Sequence, residues 1–216
     1  MSKIAPTRRK YDSSRRKARA LETEHQMVLA ARDLFVERGY VGTTIEQIAQ
    51  RAGVAVETVY STFGSKREIL ARLVKVSIVG DQSPVPLLER PGPQAVRQER
   101  DQRRQIALFA RDMRDIMSRM GPIFMIMHTA AETEPDIATL LRTMLNDRLD
   151  GMAYFVRCLL ANGPLSNQMS VEDAAETVWA VTSGELHQLL TLYRGWSGDR
   201  YETWLRDTLT RLLLDQ

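Results

Sequence analysis

The stretch TIEQIAQRAGVAVETVYSTF, residues 44–63, decides the fold of this chain. Its first half has apolar residues at i, i+3, i+4 and i+7, the spacing of a helix with one buried face. Thr44 and Gln47 have the form of a capping box, which satisfies free N–H groups at a helix start. Gly53 suits the left-handed position that follows a helix end. The same apolar spacing resumes at Val56, so the stretch is predicted to be two short helices joined by a glycine turn.

Two short helices around a tight turn are typical of the helix-turn-helix, which places its second helix in the major groove of DNA. The face of the second helix opposite its apolar stripe carries short side chains that can approach base edges closely. An ordinary helical hairpin without a ligand is the alternative. The caps, the turn glycine and the basic residues nearby, taken together, favour DNA binding.

The composition is that of a globular protein: 216 residues, of which 44% are hydrophobic and 26% charged. No apolar run has the length of a membrane span, and the first residues lack the apolar stretch of a signal peptide. The single Cys158 excludes an intrachain disulfide. We therefore expect a cytoplasmic, nucleoid-associated protein without a membrane partner.

The first twenty residues concentrate positive charge, with Asp12 as the one acidic residue among them. Because this segment has few apolar residues to bury, residues 1–19 are predicted to form a disordered basic arm. Such an arm contacts phosphates or enters the minor groove beside a helix-turn-helix. The alternative is a tail that only adds solubility.

A longer pattern surrounds the two helices, over residues 27–70. It consists of Ala31, Leu34, Phe35, Gly39, Tyr40, Thr44, Ile48, Ala49, Ala52, Gly53, Val54, Thr58, Val59, Tyr60, Phe63, Ser65, Lys66 and Leu70. In this order the segment resembles the DNA-binding head of the tetracycline-repressor (TetR/AcrR) family of bacterial transcriptional regulators. The resemblance implies an all-helical homodimer, with a three-helix head and a divergent body that binds an effector and dimerises.

The resemblance also implies which residues touch DNA, since several match positions that commonly contact the backbone or bases. Lys66 stands at a helix start, where a phosphate would offset the unfavourable helix dipole. Three residues depart from the family pattern and bear on the operator sequence: Ala55, Glu57 and Thr62. The full predicted DNA-binding set is Thr44, Ala55, Val56, Glu57, Thr58, Tyr60, Ser61, Thr62 and Lys66, with Arg15 and Arg16 of the arm.

The proline- and glycine-rich segment 80–93 is the strongest break in the chain and is predicted to be a loop and hinge. After it, the pattern predicts a long helix over 94–120, helices opened by Pro122 and by Pro135, a helix over 170–193 and a last helix up to about Leu212. The expected fold is all-α with about nine helices. Its predicted parts are the arm at 1–19, a helix-turn-helix domain at 20–66 and an effector-binding and dimerisation domain at 67–216.

Methionines and aromatic residues concentrate in the helices after the loop. Because methionine is common at surfaces that bind varied apolar partners, one interpretation is a pocket for a small hydrophobic or amphipathic effector. An ordinary core is the other. The arginines of 94–120 alternate with acids, which indicates an ion-paired surface more than an anion site. The predicted effector residues are Phe109, Met113, Met117, Met120, Phe124, Met127, His128, Met144, Met152, Phe155 and Trp179.

The last two predicted helices are amphipathic and are candidates for a symmetric four-helix interface between two copies of the chain. The alternative is that they only cover the core of one chain. The predicted interface residues are Val178, Thr182, Leu186, Leu189, Tyr193, Tyr201, Trp204, Leu205, Thr208 and Leu212.

Enzymatic interpretations find no support, because the three histidines lack the spacing of a metal site or triad and no phosphate-binding glycine motif occurs. No enzyme, metal or cofactor is expected. The expected function is a ligand-responsive repressor that binds a near-palindromic operator on double-stranded DNA as a homodimer and is released by an effector. The alternatives are a ligand-independent DNA-binding protein, or a helical small-molecule-binding or scaffold protein without DNA binding.

Overall fold

The computed structural model describes residues 13–81 and 85–214, and every regular element within them is helical. The all-α prediction is therefore confirmed. The N-terminal head consists of α1 (Ser13–Arg38), α2 (Ile45–Ala52) and α3 (Val56–Phe63), and α4 (Lys66–Val79) leads away from it.

The body follows with α5 (Pro91–Gln98), α6 (Gln102–Ala131), α7 (Pro135–Leu160), α8 (Val171–Val181), α9 (Gly184–Gln188) and α10 (Gly198–Leu213). Short 3-10 turns cover Leu87–Glu89 and Ser166–Gln168, and α9 continues into a π-helical turn over Leu189–Tyr193. The described part of the chain thus holds ten α-helices, against about nine expected. None of these helices combines the length and apolar character that crossing a membrane requires.

The head forms where the apolar stripes of its helices meet, with Phe35, Ile48 and Val59 at most 1% exposed. The predicted capping box is present: Gln47 N–H donates to Thr44 Oγ1 at 3.3 Å, and Thr44 N–H donates to Gln47 Oε1 at 3.1 Å. Gly53 ends α2 at φ 69°, in the left-handed region. These local signals fix the angle between α2 and α3, which sets the direction of the outer face of α3.

The first helix begins earlier than expected. Residues 13–19 are helical and not a disordered arm, because α1 has no proline or glycine and is rich in residues that favour helices. The rest of the predicted arm, residues 1–12, lies outside the described residues.

Two prolines behave differently from the prediction. Pro91 occupies the first turn of α5, so a helix starts inside the predicted loop 80–93. Pro122 does not open a helix but lies within α6, where the neighbouring Gly121, Ile123 and Phe124 are buried against the body. Packing on these neighbours holds the helix together at the position where proline removes a hydrogen bond.

The predicted helix over 170–193 is also interrupted. Thr182 ends α8, and the Ser183 hydroxyl accepts from Leu186 N–H to start α9. The body itself is arranged around α6, which packs against α4, α5, α7 and α10. This arrangement places α4 between the head and the body.

Candidate DNA-binding surface and effector cavity

The outer face of α3 is polar and exposed. Its inner face holds Val59, which is 1% exposed, and the partly buried Val56 and Phe63. The residues of the opposite face that are exposed are Ala55, Glu57, Tyr60, Ser61 and Thr62. Thr58 is half-buried at the edge of this face. The helix therefore presents a narrow ridge of short side chains, flanked by one aromatic ring, to the outside of the head.

Two hydroxyls on this ridge are held by the helix backbone. Ser61 Oγ donates to the Thr58 carbonyl at 3.0 Å, and Thr62 Oγ1 donates to the same carbonyl at 2.7 Å. Both oxygens keep lone pairs that can accept hydrogen bonds from outside. At the start of the helix Ala55 makes no side-chain cap, so the first N–H groups of α3 lack an internal side-chain partner. Free N–H groups at a helix start favour an anion such as phosphate.

Lys66 holds the head together from the first turn of α4. Its Nζ donates to the carbonyls of Tyr40 at 2.8 Å and Thr43 at 2.9 Å, and lies 4.2 Å from the centre of the Tyr40 ring. Burial lowers the pKa of Lys66, with a smaller opposing effect of Glu134. The carbonyls of the turn between α1 and α2 thus compensate for the unfavourable position of the ammonium group at the start of α4. The sequence pattern predicted a phosphate in this role. One of the three ammonium donors stays available.

The remaining predicted DNA-binding residues are placed less uniformly. Thr44 is exposed, with its hydroxyl in the capping box of α2. Val56 packs inward, so its side chain does not belong to the outer ridge. Arg16 is exposed on α1. Arg15 lies in α1, but its side chain is outside the described part of the chain.

A cavity of about 510 Å³ lies in the body between α4, α6 and α7 and is partly open to solvent. Its size is in the range of small-molecule sites. The predicted effector residues in its wall are Met113, Met117, Met120, Phe124, Met144 and Met152. A smaller cavity of about 280 Å³ adjoins it and is lined by Phe109 and Phe155, whose rings stack at 3.8 Å. The cluster of methionines and aromatic residues therefore surrounds empty space as well as forming core.

Three predicted effector residues do not line either cavity. Met127 is 0% exposed within the core and His128 lies on the surface. Trp179 is half-buried on α8, and its Nε1 donates to the Leu145 carbonyl at 3.2 Å. The sequence could not separate these three residues from the others, because helical spacing shows which residues share a face but not which part of that face borders a cavity.

Polar residues in the wall of the larger cavity were missed by the sequence analysis. They include Arg148 on α7, which stands four residues from both Met144 and Met152 and hence on the same face. That spacing was a usable signal, but an arginine in a surface-like stretch indicates a solvated position by default. In the smaller cavity, burial raises the pKa of Asp112, and Asp115 adds to the effect.

Helix α4 connects the larger cavity with the head. Ala71, Val74 and Ile78 line the cavity. On the side of the head, Arg72 Nε donates to Glu24 Oε1 of α1 at 2.5 Å. A molecule in the cavity therefore touches the helix that carries the head.

The predicted dimer residues divide into two groups. Val178, Thr182, Tyr201 and Leu205 are 0% exposed, so they are packed inside one chain and cannot contact a second one in this fold. Residues with side chains on the surface or at its edge are Leu186, Leu189, Tyr193, Trp204, Thr208 and Leu212. Leu189 and Tyr193 are 54% and 70% exposed, as part of an apolar patch that also includes Leu192.

Comparisons with known proteins agree with the architecture of the head. Residues 28–73 match the family model described as bacterial regulatory proteins, tetR family. The HTH-type transcriptional repressor BepR of Brucella suis biovar 1 is 29% identical over 187 residues, which cover 82% of this chain and 84% of that protein.

Solved structures have the same fold over most of the chain. The structure of NalD, the secondary repressor of the MexAB-OprM multidrug efflux pump in Pseudomonas aeruginosa, has a TM-score of 0.68 at 20% identity and covers 92% of this chain and 99% of its own. A SmeT–triclosan complex has a TM-score of 0.70 at 21% identity, with 90% and 93% covered.

Proposed function

We propose, from the premise that this chain is a transcriptional regulator of the TetR family, that it is a repressor released from its operator by a small hydrophobic or amphipathic effector. The observation that carries this proposal is the position of α4, which lines the body cavity and is bonded to the head. The BepR and NalD proteins are named as repressors, which supports the direction of the effect.

In the proposed complex, two heads bind successive major grooves of a near-palindromic operator. The recognition helices α3 of a homodimer would then stand roughly 34–36 Å apart or at a multiple of that distance. Glu57, Thr58 and Ser61 are proposed to read base edges; a carboxylate at Glu57 suits the amino group of cytosine. Thr44, Tyr60 and the free donor of Lys66 are proposed to contact phosphates.

The homodimer is proposed to form through the exposed part of the C-terminal region. The apolar patch of Leu189, Leu192 and Tyr193, with Leu212 on α10, offers surface that a second copy would cover. The buried residues of α8 and α10 support this face from within the chain.

The effector is proposed to act through α4. A molecule in the cavity would contact Val74 and Ile78, and a shift of α4 would move the head through Lys66 and Arg72. A change of 1–3 kcal/mol in the free energy of DNA binding, the usual size of such coupling, suffices for a 5- to 150-fold loss of affinity. The solved complex of SmeT with triclosan supports a small-molecule effector for a protein of this fold.

The experiment starts with duplexes of random sequence selected on the purified protein, followed by mobility shifts over a series of salt concentrations. Phosphate contacts require log K to fall linearly with log salt, by about 0.9 per contact. Binding that does not respond to salt would contradict the proposed interface. A thermal-shift screen of apolar compounds then identifies ligands, each of which is expected to weaken DNA binding. The ligand-independent alternative predicts no stabilising compound, and a cavity of about 510 Å³ argues against it.

A further inference from the structure

One charged side chain in the wall of the larger cavity, Arg148, is largely withdrawn from solvent, whereas Glu68, Lys75 and Asp147, which also line the cavity, are exposed. Arg148 lies on α7, one helical turn from Met144 and one from Met152, and all three side chains border the cavity. Burial lowers the pKa of Arg148 to about 10, which leaves the guanidinium positively charged at neutral pH. A charge in such surroundings is costly unless a partner compensates for the lost water.

The hydrogen bonds of Arg148 account for only one of its nitrogens. Nη2 donates to Thr182 Oγ1 at 2.9 Å and to the carbonyl of Trp179, and the guanidinium carbon lies 5.0 Å from the centre of the Trp179 ring. Nε is buried and has no hydrogen-bond partner among the described residues. These contacts fix the guanidinium plane against α8 and leave donors unused.

No acidic side chain of the described residues forms an ion pair with Arg148. Glu185 acts on it electrostatically, but Glu185 is exposed to solvent. Of the acids that line the cavity, Asp147 is exposed and Glu68 is engaged by Arg67. The protein therefore supplies neutral acceptors for Arg148 and no counter-ion at short range.

A second unused donor lies on the same side of the body. The hydroxyl of Tyr201 is fully buried and has no hydrogen-bond partner among the described residues, and the Arg148 charge acts on it. His187 stacks edge-on against the Tyr201 ring, with 4.8 Å between ring centres, and its Nδ1 is likewise without a partner in the described part. Neither Tyr201 nor His187 lines the cavity, so these groups lie behind its wall and the proposed site depends on Arg148.

We propose that the effector is an anionic amphipath, a molecule with a carboxylate joined to a flexible apolar part. The carboxylate forms an ion pair with the guanidinium of Arg148, and the apolar part lies among the methionines of α6 and α7. Methionine side chains adapt to apolar groups of irregular shape, which suits a flexible chain. This inference rests on the proposed effector-binding function and narrows it to one chemical class.

A neutral or a cationic ligand would not compensate the charge of Arg148. A neutral apolar molecule would displace water from the cavity and leave Arg148 without compensation, and a cationic one would repel it. Hydrogen bonds to charged groups contribute about 1.5–3 kcal/mol, which converts to about 10- to 150-fold in affinity. The head group of a bound molecule should therefore decide its affinity.

The test compares three molecules with the same ten-carbon chain: decanoate, decan-1-ol and decyltrimethylammonium, each kept below the concentration at which it forms micelles. Isothermal titration of the wild-type protein is expected to give a dissociation constant for decanoate about 10-fold or more below that of decan-1-ol. Decyltrimethylammonium is expected to bind most weakly. Equal affinities, a preference for the cation, or no binding by any of the three would overturn the inference.

Two variants assign the preference to the guanidinium. In Arg148→Met, which keeps an apolar side chain in the wall, decanoate is expected to bind no better than decan-1-ol, while decan-1-ol keeps its affinity. Arg148→Lys retains a charge without the planar fork and is expected to keep part of the preference. A decanoate preference that survives Arg148→Met overturns the proposal. If circular dichroism shows that Arg148→Met is unfolded, the proposal is tested by the order of the three ligand affinities in the wild type and in Arg148→Lys.

Mobility shifts with the same molecules separate this inference from the proposed function. If decanoate binds through Arg148 but does not change the affinity for DNA, the anion site is supported and regulation through the cavity is refuted. If decan-1-ol releases DNA and decanoate does not, the regulatory function stands and the anionic effector is refuted.

Discussion

Replacement of Lys66 by methionine tests how the head is held together. The change keeps most of the apolar stem and removes the ammonium group. That group donates to the carbonyls of Tyr40 at 2.8 Å and Thr43 at 2.9 Å. It also lies 4.2 Å from the centre of the Tyr40 ring. Both carbonyls belong to the turn that sets α2 against α1.

The expected loss of stability follows from these contacts. Two hydrogen bonds from a charged donor would contribute about 3–6 kcal/mol if fully buried. Lys66 is only half-buried, however, and water can replace it at both carbonyls. Burial also lowers the pKa of the ammonium group, because this group loses part of its hydration in the folded state. We therefore expect Lys66→Met to lower the free energy of unfolding by about 1–3 kcal/mol.

Urea unfolding followed by circular dichroism measures this loss. Lys75→Met is the matched control, because Lys75 is an exposed lysine of the same helix, and its stability is expected to stay within about 0.5 kcal/mol of the wild type. If Lys66→Met is as stable as the Lys75 control, the two carbonyl contacts do not hold the head. A mobility-shift series on the same variant shows whether the third donor also meets a phosphate, through a salt slope lowered by about 0.9 per contact.

Three further changes test the ridge of α3, the cavity and a buried histidine. Glu57→Ala is expected to relax preference at one base pair by about 1–3 kcal/mol in selection from random duplexes, with an unchanged salt slope; an unaltered consensus would refute base reading by Glu57. Gly184→Ala places a Cβ 2.7 Å from Phe124 Cδ1, so urea unfolding should show a loss of about 1–3 kcal/mol, and no loss would contradict the close packing. Burial lowers the pKa of His187, so as the pH falls the imidazole is protonated in the unfolded chain before it is protonated in the folded one. The free energy of unfolding therefore falls as the pH drops from 6.5 towards the pKa of the folded state. His187→Gln should show a weaker fall over that window, and an identical pH profile would exclude the histidine as its source.

The head was predictable because its signals are local. The capping box at Thr44, the turn at Gly53 and the apolar stripe through Val59 each depend on residues within one or two helical turns. Lys66 was the exception, because its carbonyl partners lie 23 and 26 residues away in sequence and periodicity carries no information about them.

The body was less predictable because tertiary contacts decide it. Burial on α6 overrides the helix-breaking tendency of Pro122, and the placement of α10 against α6 turns Tyr201 and Leu205 into core residues of one chain. An amphipathic stripe shows that a helix has an apolar face, but it does not show whether that face meets the same chain or another copy. For the same reason Arg148 was overlooked: its burial depends on α8, a helix that follows it in sequence.

The most direct measurement of the central claim is DNA binding by a variant of the α3 ridge, Glu57→Ala with Ser61→Ala and Thr62→Ala. These side chains are exposed, so the triple variant is expected to keep the stability of the wild type. On the duplex selected by the wild type, it should lose about 10-fold or more in affinity and retain the salt slope, because base contacts are lost and phosphate contacts stay. Unchanged affinity of a folded triple variant for that duplex would show that the outer face of α3 does not read DNA.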